Sequence, residues 1–131
     1  MAKSWRKKAD TEWSRIIRQV GHCEMCGKSR VKLHAHHIID RNSFYYRHDL
    51  TNGLCLCAGC HTMNKWSWHK DRTACLKWLR KERPGVWKWF KGNTVVEDKQ
   101  VGNRQVKVYK AISRKRNWTD EDKFYELKEI I

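Results

Sequence analysis

A small α+β fold held together by metal more than by core size is what the 131-residue sequence predicts, and three observations predict it. Arg30 to Ile39 and Leu50 to Leu56 read as strands around a polar, aromatic loop, and the chain turns helical in character from Cys57. Two Cys-x-x-Cys pairs, Cys23/Cys26 and Cys57/Cys60, bracket that strand–loop–strand unit. Only 40% of the residues are apolar, 33% are charged and the mean hydropathy is −0.90, which leaves little material for a hydrophobic core.

In chain order, residues 1–9 carry Lys3, Arg6, Lys7 and Lys8 and read as a basic arm. Asp10 is a plausible N-cap for an amphipathic helix with Trp13, Ile16, Ile17 and Val20 on one face and Gly21 as its stop. After the strand pair, Cys75, Leu76, Trp78 and Leu79 mark a helix that ends near Pro84, the only proline, and "VWKWFKG" adds a further turn or two. Trp66, Trp68, Trp78, Trp87 and Trp89 are expected to cover the core, since aromatic side chains bury much area each. Residues 91–117 fit either a hairpin of "NTVVED" with "QVKVYKAI" or a solvated arm. At the end, Thr119 and Asp122 resemble a capping box ahead of Phe124, Leu127 and Ile131 on one helical face. The expected organisation is an arm and helix over 1–21, a central domain over 22–92 and a basic extension over 93–131.

Lys and Arg number 29 against 14 Asp and Glu, a formal net charge of +15. A field of that size favours a polyanion, and release of counterions from phosphates makes nucleic acid the expected partner. No apolar run approaches the roughly 18 residues of a membrane span, and "MAKSWRKKADTEW" lacks a signal-peptide segment, so a cytosolic setting is expected. There, paired cysteines read as metal ligands before disulfides.

Four thiolates on two matched knuckles close a tetrahedron around Zn²⁺, leaving no open position for chemistry, so Cys23, Cys26, Cys57 and Cys60 are expected to hold a structural zinc. A redox role for Cys23 and Cys26 alone leaves Cys57 and Cys60 unexplained. Cys55 and Cys75 fall outside the pattern and read as small buried residues.

The stretch "LHAHHIIDRNSFYYRHDLTNGLCLCAGCH" then holds five of the seven histidines. The order "HHII" followed by "LTNGLCLCAGCH", with Asn52 fifteen positions after His37 and His61 nine after Asn52, resembles the HNH endonucleases of the ββα-metal class. The flanking Cys pairs resemble their zinc-bearing subgroup, found in phages and other mobile elements. The likeness spans Cys23 to about Lys65. It implies a ββα-metal core in which His36 and His61 hold a divalent ion (Mg²⁺, Mn²⁺, Ni²⁺ or Zn²⁺), His37 is the general base and Asn52 orients it through its side-chain oxygen. In some relatives a further His follows the last ligand by one helical turn. Lys65 stands there, and Asn64 is the nearest substitute. The implied activity is cleavage of DNA.

His34 and His48 read as surface or phosphate-contacting residues, and His22 and His69 lack a constellation. Arg41, Arg47 and Lys65 lead the expected phosphate contacts, joined by Lys28 to Lys32, Lys70, Arg72 and Lys107 to Arg116, with Tyr45, Tyr46 or Tyr109 able to stack. A non-catalytic zinc-bound nucleic-acid adaptor explains charge and cysteines equally, though not the full His36, His37, Asn52 and His61 set. Charge alone also admits an RNA substrate. The sequence announces no dimer interface.

Overall fold

The computed structural model describes residues 4–130; Lys3 of the expected arm and Ile131 of the expected helical face lie outside them. The first helix, α1, spans Trp5–Arg18, capped by the Ser4 side chain accepting from the Lys7 N–H. Most of the expected arm is therefore helical. Asp10 is not its N-cap but sits mid-helix, because Ser4 supplies the capping oxygen and Asp10 is turned toward the loop after the first strand.

Strands β1 (Leu33–His37) and β2 (Gly53–Cys57) form an antiparallel pair that sets His36 opposite Leu54 and His37 opposite Gly53. Both are shorter than the sequence predicts, since Leu50–Asn52 is a single 3₁₀ turn capped by Asp49. α1 lies across one face of this pair. Trp13 is buried and donates from Nε1 to the Asp49 carbonyl at 2.9 Å. Gly53 has ordinary extended dihedrals of −124° and 144°, so it serves no turn. Its role is space: a Cβ there would enter the Ile17 side chain and stand 2.9 Å from Trp13 Cζ2.

After β2 the chain makes a five-residue π-helical turn, Gly59–Met63, and reverses at Asn64. α2 (Arg72–Glu82) follows, then α3 (Pro84–Gly92) with proline at its first position, where a missing N–H costs nothing. The core joins Ile38, Ile39, Tyr46, Leu54 and Leu56 to Leu76, Leu79 and Phe90. Trp68 is buried and Trp78, Trp87 and Trp89 pack against this core, whereas Trp66 is 48% exposed and covers none of it.

The open question of residues 91–117 resolves as a hairpin, β3 (Thr94–Val101) with β4 (Arg104–Ala111), turning at Gly102 with φ of 59°. The capping box of Thr119 and Asp122 starts the last helix, α4 (Asp120–Lys128). α4 docks on α1 through Trp5 against Phe124, with ring centroids 5.6 Å apart, and through Arg15 donating to the Ile130 carbonyl at 2.9 Å. Among the described residues no helix is long and apolar enough to cross a membrane.

Candidate metal centres and the histidine cleft

The two cysteine knuckles meet at one end of the β-pair. Each Cys supplies a sulfur, and all four sulfurs of Cys23, Cys26, Cys57 and Cys60 lie within 4.8 Å of one another, Cys26 and Cys57 at 3.6 Å. Sulfurs about 2.3 Å from a zinc ion stand about 3.8 Å apart at tetrahedral angles, so the donor set fits zinc in both number and spacing. Local backbone geometry builds the first knuckle: the Gly27 N–H donates to the Cys23 carbonyl at 2.9 Å, and Gly27 turns the chain with φ of 80°.

Burial, the largest single influence on Cys23, pushes its thiol up, but N–H groups of Cys26, Cys57 and Met25 directed at the sulfur overcome this and leave it at about 7. Burial and the neighbouring sulfurs push Cys60 well above the ordinary thiol range. Four thiolates so close need a cation, and the cluster is compatible with a structural zinc. Cys55 and Cys75 are buried apart from it, each raised to about 11, by burial first and by Glu24 or Asp71 next.

The pleat of β1 sends consecutive histidines to different surroundings. His36 is buried and meets His61 and His69, with ring centroids 5.2 and 5.3 Å away. His61 Nε2 and His69 Nε2 are 3.0 Å apart, and the three rings offer nitrogens within 4.8 Å of one another. Nitrogens each about 2.0–2.1 Å from one ion are roughly 3–3.5 Å apart, so this set also fits a divalent ion. Burial first, then the charges of neighbouring His61 and His69, takes His36 down to about 2, and burial followed by His69 and His34 takes His61 to about 4. Both rings are therefore neutral at physiological pH, with lone pairs available.

His69 is the residue the sequence reading passed over. It reaches His61 because the chain doubles back after Asn64: the Trp68 N–H donates to the Cys60 carbonyl at 2.9 Å and the His69 N–H to the His61 carbonyl at 3.2 Å. Asn64, the substitute the spacing offered, instead closes the π-turn, its N–H donating to the Gly59 carbonyl and its side chain lying over Gly59. His34 is half-buried rather than a free surface group, its Nδ1 sharing a 2.9 Å hydrogen bond with His61 Nδ1. That bond leaves Nε2 as the nitrogen of His61 that faces the cluster.

His37 lies flat against Trp13 of α1, with centroids 4.0 Å apart and 9° between planes. Its Nε2–H donates to the Arg47 carbonyl at 2.9 Å, which makes Nδ1 the lone-pair nitrogen. Burial lowers its proton affinity, opposed by that hydrogen bond. Asn52 does not touch this ring. Fully buried, its Oδ1 accepts from the Ile39 N–H at 2.6 Å and its Nδ2 donates to the Ile39 and Tyr46 carbonyls at 3.0 and 3.1 Å. The amide therefore clamps the two ends of the loop that carries Arg47, and its expected contact with His37 is replaced by this indirect one.

Arg47 is half-buried rather than free at the surface. Its guanidinium grips Asp10 at 2.8 and 2.7 Å and donates to the Arg41 carbonyl at 3.1 Å, while the buried His48 donates from Nε2 to Asp10 at 2.7 Å. Burial raises the Asp10 carboxyl, but Arg47 and His48 outweigh it and hold it well below the usual carboxylate range. Arg47 and His48 thus tie the loop to α1 and are not free phosphate contacts. Arg41 is exposed and shares a cleft of about 380 Å³ with His36, His37, His61 and His69. Lys65 is exposed at the chain reversal, outside that lining. A second cleft of about 440 Å³ runs from His36, His37 and His69 to Arg72 and Lys110.

A short antiparallel strand pair and a helical turn of an α+β fold thus carry one four-sulfur and one three-imidazole cluster, each of a size to hold a metal ion. Residues 23–65, a third of the chain, match the family model for HNH endonuclease, and the four-cysteine cluster fits the zinc-bearing kind; the match supports a nuclease-type function in general and implies a nucleic-acid substrate. No curated protein and no solved structure matches the chain.

Proposed function

We propose that this protein hydrolyses DNA phosphodiester bonds, nicking or cutting with 5′-phosphate and 3′-hydroxyl products, in phage or mobile-element DNA processing within a cytoplasm. His37 is the general base. Its Nε2–H is occupied by the Arg47 carbonyl, so Nδ1 takes the proton of the attacking water, and Trp13 holds the ring plane. Asn52 secures the loop that carries that carbonyl. His36, His61 and His69 hold a divalent ion, Mg²⁺, Mn²⁺, Ni²⁺ or Zn²⁺, while the four cysteines hold zinc. When bound, the ion neutralises charge on the phosphoryl group and eases departure of the 3′ oxygen.

The observation that carries this reading is the single cleft lined by both a histidine with one free, fixed-tautomer nitrogen and three converging imidazoles. Arg41, in the same lining, contacts the phosphate, and the exposed Lys65, outside it, adds to the basic surface.

The test is cleavage of supercoiled plasmid by zinc-loaded protein, metal-depleted at the histidine cluster and then resupplied with each ion, wild type beside His37→Ala. The expected outcome is ion-dependent nicking that falls by at least about 10²-fold in the variant, the scale of a lost general base, with DNA binding nearly unchanged. Absence of cleavage with every ion, despite tight salt-sensitive binding, would replace the nuclease with a zinc-bound adaptor.

A further inference from the structure

The hairpin of β3 and β4 protrudes from the core and shows two chemically different faces. Directly opposed residues share a face in an antiparallel pair. On one face Thr94 opposes Ala111, Val96 opposes Tyr109 and Asp98 opposes Lys107. That face is anchored at its base, where Tyr109 meets Phe90 with centroids 5.2 Å apart, and farther out its cation stands against a carboxylate.

On the other face Lys110 opposes Val95, Lys99 opposes Val106 and Arg104 opposes Val101. Each cation there has a valine across the ladder where Lys107 has Asp98, and among the described residues none of these four cations belongs to an ion pair. Glu97, opposite Val108, is this face's single acid. Lys99, Arg104 and Lys110 are exposed, as are Val95 at 47% and Val101 at 58%. Lys110 also lines the 440 Å³ cleft that His36, His37 and His69 line, together with Thr94, Tyr109 and Ala111 of the other face, so the base of the hairpin borders the histidine cleft and the unpaired face begins at its edge.

We propose that this face of the ribbon is an arm that holds duplex DNA on one side of the scissile bond. This rests on the nuclease reading. A two-stranded ribbon fits the major groove. Lys99, Arg104 and Lys110 meet phosphates and the valines lie toward base edges. An eight-residue strand is about 27 Å long, which is about eight base pairs at 3.4 Å each.

The experiment uses full-length protein carrying His37→Ala, so that DNA stays intact. It compares the salt dependence of duplex binding and the nuclease-protection footprint for that background, for Lys99→Ala/Arg104→Ala added to it, and for Lys107→Ala added to it. The double substitution is expected to lower the slope of log K against log salt by about two and to shorten the footprint on one side. Lys107→Ala, on the opposite face against Asp98, should leave both nearly unchanged. In the wild-type chain the double substitution should raise KM with kcat at saturating DNA kept.

An unchanged slope and footprint in the double variant, with wild type still cleaving, overturns the arm and leaves the nuclease reading intact. Equal losses from Lys107→Ala would show general charge loss and also overturn it. A dimer in sedimentation that Val101→Glu dissociates without altering DNA binding would give the face to a second copy. Failure of the nuclease reading looks different: no metal-dependent cleavage by wild type at all.

Discussion

The cysteine cluster and the histidine cluster have similar dimensions, each with donor atoms within 4.8 Å, and His61 directly follows Cys60, yet their donor sets and surroundings differ. Four thiols are enough to fill a tetrahedron, and three of the four residues are buried while Cys26 is exposed, so a zinc there would keep no open coordination position. The histidines number three, graded from buried His36 through half-buried His61 to exposed His69, and the set opens onto clefts of 380 and 440 Å³. A closed donor set favours stability and an open one favours substrate. The sharpest way to break the pair apart is to remove each metal separately.

Cys57→Ser or stripping of the zinc should have the largest effect. Structural zinc contributes on the order of 10 kcal/mol, comparable to the whole net stability of about 5–15 kcal/mol of a small domain. We expect loss of cooperative unfolding and, because Cys57 ends β2 and Cys60 lies in the π-turn that carries His61, loss of the histidine cluster with it. Near-UV circular dichroism and bound zinc per chain check this. A variant that lost zinc but kept both its fold and its cleavage would dissolve the distinction between the two sites.

His69→Ala is the next test. If His69 completes the open set, affinity for the catalytic ion should fall about 10–100-fold, the scale known for weakening a metal's support, while one tightly held zinc and the melting temperature stay. Calorimetric titration of the ion into zinc-loaded protein reads this directly. Unchanged affinity would return the site to His36 and His61 alone. His34→Ala, which removes a neighbour of His61 rather than a member of the set, serves as a milder comparison.

The same contrast explains how much of each cluster is legible in the sequence. The cysteine cluster was legible because a Cys-x-x-Cys turn is local: two pairs declare four ligands wherever the intervening chain runs. The order of His36 and His61 along the chain pointed to two imidazoles that the fold does bring together. His69 was not legible, because its approach to His61 depends on the reversal at Asn64 and on backbone bonds from Trp68 and His69 to Cys60 and His61, whereas helical periodicity pointed to Lys65. Asn52 stood out through its order as well, but the contact expected of it, with His37, is not the one it makes. Its order along the chain says nothing of the Ile39 and Tyr46 backbone groups that burial brings to it. Arg47 and His48 read as surface residues because their partner, Asp10, lies 37 and 38 positions away on a helix whose docking no local pattern encodes.

That docking is also where the smallest and most specific effect is expected. α1 lies outside the matched segment 23–65, yet Trp13 stacks on His37, and the contact exists because residue 53, opposite His37 in the ladder, has no side chain. Gly53→Ala places a methyl against Ile17 and Trp13. Overpacking of this kind costs about 1–3 kcal/mol, and an ångström-scale shift of Trp13 would loosen the plane of His37, lowering kcat by about ten- to a hundred-fold. Since the obstruction is largely Ile17, Gly53→Ala with Ile17→Ala should restore much of the rate while remaining less stable than wild type, because the deletion removes buried carbon. Stability without recovered rate would mean that α1 only covers the sheet. Recovered rate at reduced stability would mean that a helix outside the family segment sets the geometry of the base.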